Sequence, residues 1–277
     1  MNVVRIDSID CTETSVYARL TEAQLRNRLE PEKGIFICES LKVVRIALEN
    51  GYHPLSFLAE ERNVASQVAP LFDDARYGID PTTPVYCGSR EVLRQLTGYE
   101  LSRGILCAMH RPTLPSVAEV CSKARRIAVV DSVVNSTNTG AIFRAAAALG
   151  IEGILMTPTC CDPLNRRSTR VSMGTVMQLP WTYTERPWPN DTISQLHDMG
   201  FCVVALALSD RALAIDDPRL TECDRIAIVM GTEGDGLAKA TIEACDQVAK
   251  IPMYRGVDSL NVAAAAAVAF WQLREKT

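Results

Sequence analysis

The second half of the chain alternates short apolar runs with segments of helical spacing, and that alternation restricts the folds open to it. Residues 127–130, 153–156, 201–208, 226–230 and 248–251 are nearly uninterrupted in their apolar character. Helical patterns over 140–149 and 191–199 lie between them, and an alanine-rich helix over 260–273 closes the series. Strands that are apolar on both faces must be covered on both faces, and helical crossovers supply the cover. The pattern therefore predicts an α/β domain on a parallel sheet. Upstream the signal is weaker but of the same kind. Residues 39–51 form a helix with Leu41, Val44, Ala47 and Leu48 on one face, stopped at Asn50-Gly51. Strands over 34–38, 55–58 and 84–87 and a helix over 89–98 complete a small α/β unit. Two prolines within 110–115 mark the boundary, giving domains 1–112 and 113–277.

The composition suits a folded protein with room for two domains: 277 residues, 47% hydrophobic and 22% charged. That balance excludes a disordered chain. No apolar run reaches the roughly 18 residues of a membrane span, and the first residues lack a basic start followed by an apolar core. The expected location is cytoplasmic, with no membrane association. Ten cysteines include no C-x-x-C pair, and His53, His110 and His197 are far from the adjacent Cys160 and Cys161. They read as small buried or half-buried side chains, and no metal is expected. A net charge of −4 argues against indiscriminate coating of nucleic acid. A local patch is enough for RNA, and Arg166, Arg167 and Arg170 supply a candidate.

In open parallel sheets, ligands bind beyond the carboxyl ends of the strands, and three strand ends carry unusual residues. After 127–130 comes Asn138-x-Gly140-x-x-x-Arg144. Asn138 or Thr139 can cap the helix and Gly140 permits close packing. Arg144, set among Ala141, Ile142, Phe143 and Ala145, calls for a partner or a bound anion. After 226–230 come Gly231, Gly234 and Gly236 with Glu233 among them, which allow a ligand close to the backbone or a tight turn. The order is not the dinucleotide G-x-G-x-x-G. After 248–251 come Pro252, Met253, Ser259, Leu260, Asn261 and Val262. Ser259 is a candidate N-cap. The helix behind it is apolar on every face, which predicts burial all round.

In order and spacing these segments resemble the three motifs of the SpoU (TrmH-type) ribose methyltransferases of the SPOUT class. The matching residues are Asn138-x-Gly140-x-x-x-Arg144, then Met230 to Leu237, then Ile251-Pro252-Met253 with Ser259 to Val262. The likeness covers about residues 125–277, and Ser172 to Gly174 fits the family's serine-glycine segment. The first unit is similar, more loosely, to the L30e-like substrate-binding domain that often precedes this one. Glu39, Leu41, Lys42, Val44 and Arg45 match its first helix, and Ser40 stands where glycine is usual.

The resemblance implies a C-terminal deep trefoil knot, with the final helix as its threaded end, and a homodimer with active sites at the interface. It implies S-adenosyl-L-methionine as cofactor, with Gly231, Ile251 and Leu260 around it. It implies methylation of an RNA ribose, on ribosomal RNA before transfer RNA. Arg144 is the expected key catalytic residue, with Asn138, Ser259, Asn261 and Glu233 orienting the reacting groups. Three other readings compete. An inert RNA-binding protein of the same fold would have less need of this full set of polar residues. A base-methylating SPOUT enzyme would lack the Asn-x-Gly-x-x-x-Arg pattern, and a nicotinamide oxidoreductase would need the missing phosphate-binding turn.

Overall fold

The computed structural model describes residues 1–8, 12–17, 34–98, 104–232 and 236–275. They form two compact units, Met1–Thr113 with Leu164–Gln178, and Leu114–Pro163 with Leu179–Thr277.

The first unit is a five-stranded sheet of β1 (Asn2–Arg5), β2 (Ile35–Glu39), β3 (Pro54–Glu60), β4 (Pro84–Gly88) and β5 (Ile105–His110), in the order β1-β4-β3-β5-β2. The first three strands of that order are parallel, and β5 runs antiparallel to both its neighbours. Helix α1 (Leu41–Glu49) buries Val43, Val44, Ala47 and Leu48, so Val43 rather than Leu41 completes its inner face. Its cap, Ser40, sits at φ 89°, a conformation that suits glycine better. Helix α2 (Arg90–Thr97) starts at its Ser89 cap and stops at Gly98, whose φ of 78° breaks the helical path. The segment Leu164–Gln178 packs with this unit although it follows the second sheet's early strands in the chain. A Cβ on Gly174 would lie 3.2 Å from Ile46 of α1, so only glycine sits there comfortably.

The second unit holds β6 (Arg126–Val130), β7 (Gly153–Met156), β8 (Trp181–Tyr183), β9 (Phe201–Leu206), β10 (Leu213–Ala214), β11 (Arg225–Met230) and β12 (Gln247–Lys250). Their order is β10-β12-β9-β11-β6-β7-β8, and every pairing is parallel, as the apolar runs predict. The chain moves outward through β6, β7 and β8, then crosses to β9. It leaves between β9 and β6 a slot that β11 later fills. Val117, Ile127, Val129, Leu155, Leu196 and Val229 are among the side chains of a core on one sheet face.

Two helices frame this sheet's working edge. Helix α3 (Ser136–Ala148) begins one turn earlier than the apolar pattern suggests. Its cap is Asn135, which accepts from the N–H groups of Thr137 and Asn138, rather than Asn138 or Thr139. Helix α4 (Val262–Leu273) packs on α3 and β11. Asn261 caps it, not Ser259, by accepting from Ala263 and Ala264. Nor is α4 buried all round. Ala266, Ala269, Phe270 and Leu273 are buried, but Ala264, Val268 (39% exposed) and Trp271 (54% exposed) form an open stripe at i, i+4 and i+7. An apolar composition fixed which residues are available for packing, not which faces find a neighbour within one chain.

The end of α4 is held by a buried cation. Arg126 Nε donates to the Leu273 carbonyl at 2.8 Å, and its NH1 donates to the carbonyls of Arg125 (3.0 Å) and Asp224 (2.6 Å). Replacing Arg126 by alanine leaves three inward carbonyls without this donor. The expected cost is about 2–4 kcal/mol, read as a lowered urea midpoint at unchanged slope; an unmoved midpoint contradicts the assignment.

Candidate active site

The carboxyl ends of β9, β11 and β12, three neighbours in the second sheet, enclose a cavity of about 290 Å³. This is where an open parallel sheet places a ligand, and the volume is at the lower end of small-molecule sites. Leu206, Met230, Leu237, Ile242 and Val262 give it apolar walls, while Thr232, Asp258 and Ser259 add polar groups. Three residues expected at a cofactor, Gly231, Ile251 and Leu260, line it together.

Gly231 explains the tightness of the β11 loop. Thr232 pairs with Gly236 across an isolated bridge, and Gly236 takes φ 66°. A Cβ on Gly231 would lie 2.5 Å from the Gly236 carbonyl oxygen and 2.8 Å from the Leu237 nitrogen. The glycine is required because backbone, not a pliable side chain, occupies the space. Glu233, expected in the same loop, lies outside the described residues.

Of the polar residues expected to act, Asn138 and Asn261 are brought together. Asn261 Nδ2 donates to Asn138 Oδ1 at 3.1 Å, while Asn261 Oδ1 caps α4. The buried Asn138 thus fixes the start of α4, and with it Ser259 and Leu260 immediately before it, against the first turn of α3. Arg144 stands elsewhere on α3. It is exposed, and among the described residues nothing hydrogen-bonds or ion-pairs with its guanidinium. The partner that its apolar neighbours suggested is not supplied by this chain's described residues.

A network that the motifs did not reveal shapes the loop between β6 and α3. Asp131, buried at the end of β6, accepts from Trp188 Nε1 (2.9 Å), Ser132 Oγ (2.9 Å) and Thr157 Oγ1 (3.3 Å). Ser132 takes φ 56°. These bonds satisfy a carboxylate that burial would otherwise penalise. Its position at a strand end was the available signal, but its partners come from distant stretches of sequence.

The three arginines expected to meet RNA have separate surroundings within the first unit. Arg166 Nε and Arg170 NH1 flank the buried carboxylate of Glu39 at 3.8 and 3.7 Å, while Arg167 is exposed. Part of the patch is thus neutralised internally, which its sequence could not disclose. The nine described cysteines are unbridged and buried or half-buried, as expected of small packing side chains. Burial pushes the Cys121 thiol up to about 11 and the Cys245 thiol up to about 12, so neither is a thiolate at neutral pH.

The SpoU rRNA Methylase family matches residues 125–271. A Mycobacterium bovis protein described as an uncharacterized tRNA/rRNA methyltransferase is 36% identical over 254 residues, covering 91% of this chain and 85% of that one. The 23S rRNA (guanosine(2553)-2′-O)-methyltransferase of Bacillus subtilis is 27% identical over 204 residues, 73% of this chain and 78% of its own. Among solved structures, the AdoMet-bound rRNA methyltransferase of Sinorhizobium meliloti shares the fold at a TM-score of 0.80 and 22% identity, covering 98% of this chain and 97% of that one. The SpoU methyltransferase AviRb of Streptomyces viridochromogenes, in complex with AdoMet, does so at 0.74 and 20% identity, covering 91% and 94%.

Gly231→Ala tests whether the cavity depends on the tight β11 loop. The added methyl is expected to cost about 1–3 kcal/mol of stability by overpacking, seen as a lowered melting temperature. A wild-type melting curve would show that the loop moves aside freely.

Proposed function

The chain belongs to the SpoU rRNA methylase family, and from that premise we propose that it transfers a methyl group from S-adenosyl-L-methionine to a ribose 2′-hydroxyl of ribosomal RNA. The observation that carries this reading is the convergence of Gly231, Ile251 and Leu260 on one cavity at the strand ends. The residues present suit the cofactor. Apolar walls accept an adenine ring, and Thr232, Asp258 and Ser259 bring polar groups to the same cavity. When bound, S-adenosyl-L-methionine supplies an electrophilic methyl carried on a sulfonium.

The chain's own task is to hold the 2′-hydroxyl in line and let its proton leave. A guanidinium keeps its proton at neutral pH, so Arg144 acts by gripping an RNA phosphate and stabilising the developing alkoxide. Its exposure suits an arginine whose counter-charge arrives with the substrate. Asn138 and Asn261 set the position of Ser259, which orients the ribose. Alignment of this kind converts an encounter into an intramolecular reaction, and the proton released as the oxygen is methylated passes to solvent.

The first unit, read as L30e-like, brings further RNA contacts through Lys42 and Arg45 on the outer face of α1 and through Arg167. The family's trefoil knot would have α4 as its threaded end, in keeping with its return to α3 and β11. Two copies pair through the open Ala264, Val268 and Trp271 stripe, since an aligned apolar face on α4 suits a self-complementary contact. Transfer RNA is the second substrate reading.

Mapping 2′-O-methyl sites in RNA from cells lacking the gene tests the target, and a lost site in ribosomal RNA is expected; a loss confined to transfer RNA favours the second reading. Arg144→Ala should lower turnover by about 10²-fold or more while calorimetry still finds cofactor binding. Wild-type turnover in that variant rejects the role. Trp271→Glu should convert dimers to monomers in sedimentation velocity, and an intact dimer would place the contact elsewhere.

A further inference from the structure

Three loops that leave the same edge of the second sheet each expose a large apolar side chain. Val134, after β6, is 72% exposed; Leu208, after β9, is 61%; and Tyr254, after β12, is 86%. Leu208 lines the cavity, as does Met253, the neighbour of Tyr254. The loop bearing Tyr254 is built to hold it out. The Val257 N–H donates to the Tyr254 carbonyl at 3.2 Å, across Arg255 at φ 60° and Gly256 at φ 72°. Two successive positive φ values are the mark of a tight type I′ turn. Arginine takes such a conformation at a free-energy cost, and backbone strain of this kind gathers where a loop's shape serves function.

We propose that Tyr254 stacks on a nucleobase of the substrate RNA beside the ribose that is methylated. The inference rests on the ribose-methyltransferase reading and names a contact that reading lacks. For a 2′-hydroxyl to reach the cavity, its nucleotide must leave the regular helix or lie in a loop, and its base then needs a new stacking partner. Tyr254 offers an aromatic face next to the cavity lining. Exposed Lys250, on the cavity wall, and Arg255 place cations on either side of it in sequence, as suits the phosphates flanking a splayed base.

The test compares wild type, Tyr254→Ala and Tyr254→Phe as full-length chains. The RNA is ribosomal RNA extracted from cells lacking the gene, and methyl transfer is followed with labelled S-adenosyl-L-methionine. Filter binding of the same RNA without cofactor supplies a second readout, and sedimentation a third. Tyr254→Ala should raise KM for RNA and weaken RNA binding by about 5- to 100-fold. Cofactor affinity and kcat should stay near wild type, and Tyr254→Phe should restore RNA binding because stacking needs the ring and not the hydroxyl. Unchanged KM and RNA affinity in Tyr254→Ala overturn the stacking role. Loss of the oligomer in that variant overturns it in favour of a contact with a second copy. Wild-type protein that transfers nothing to this RNA fails at the earlier step, rejecting the ribosomal-RNA reading and this inference with it.

Discussion

A sheet whose strands all run one way gathers every carboxyl end on one edge, and the second unit depends on this. The four consecutive strands β12, β9, β11 and β6 release their loops side by side. Gly231, Ile251, Leu260, Asp131, Leu208 and Tyr254 all belong to segments leaving that edge. Residues more than a hundred positions apart become neighbours without any local sequence signal that they will. Reversing one strand would send its loop to the far edge and remove its contribution. The apolar character of the strands, which makes the parallel arrangement stable only when both faces are covered, is thus also what assembles the chemistry.

Within that frame, the Asn138–Asn261 hydrogen bond joins the beginnings of two helices 123 residues apart. Asn261 serves both as cap and as donor, so the orientation of its amide is specified from two sides. A side chain bound at both ends holds the preceding loop more closely than a cap alone. The precision that alignment requires of a reaction site therefore comes from helix starts and backbone turns, with exposed charged side chains such as Arg144 left to meet the substrate.

The sequence disclosed five of the second unit's seven strands closely because apolar runs flanked by turns are a local property, whereas β8 and β10, at three and two residues, are too short to show as such runs. Residues 153–156 became β7 without adjustment, and 226–230 became β11 with one more residue. The cavity-lining glycine was legible for a similar reason, since three glycines after a strand imply close backbone approach. Caps were misplaced by a few residues, to Asn138 and Ser259 in place of Asn135 and Asn261, because several residues in each stretch have capping side chains and only backbone angles choose between them. The exposure of Trp271 and the pairing of Arg166 and Arg170 with Glu39 were not legible at all. Each depends on which surface meets which, a long-range outcome that composition and spacing do not encode.

Arg126 gives the second unit a particular order of completion. Its guanidinium is taken up by the carbonyl of Leu273, which lies 147 residues further along the chain. While the protein is being synthesised, β6 therefore exists long before the group that satisfies its buried cation. Early strands can pair, and NH1 can bond the carbonyls of Arg125 and Asp224, but Nε lacks its partner until α4 has been made and docks. Closure of so long a loop is entropically demanding and slow compared with local pairing. The charge that secures the finished sheet is thus fully satisfied only once α4 docks, so the start of β6 and the end of α4 are completed together.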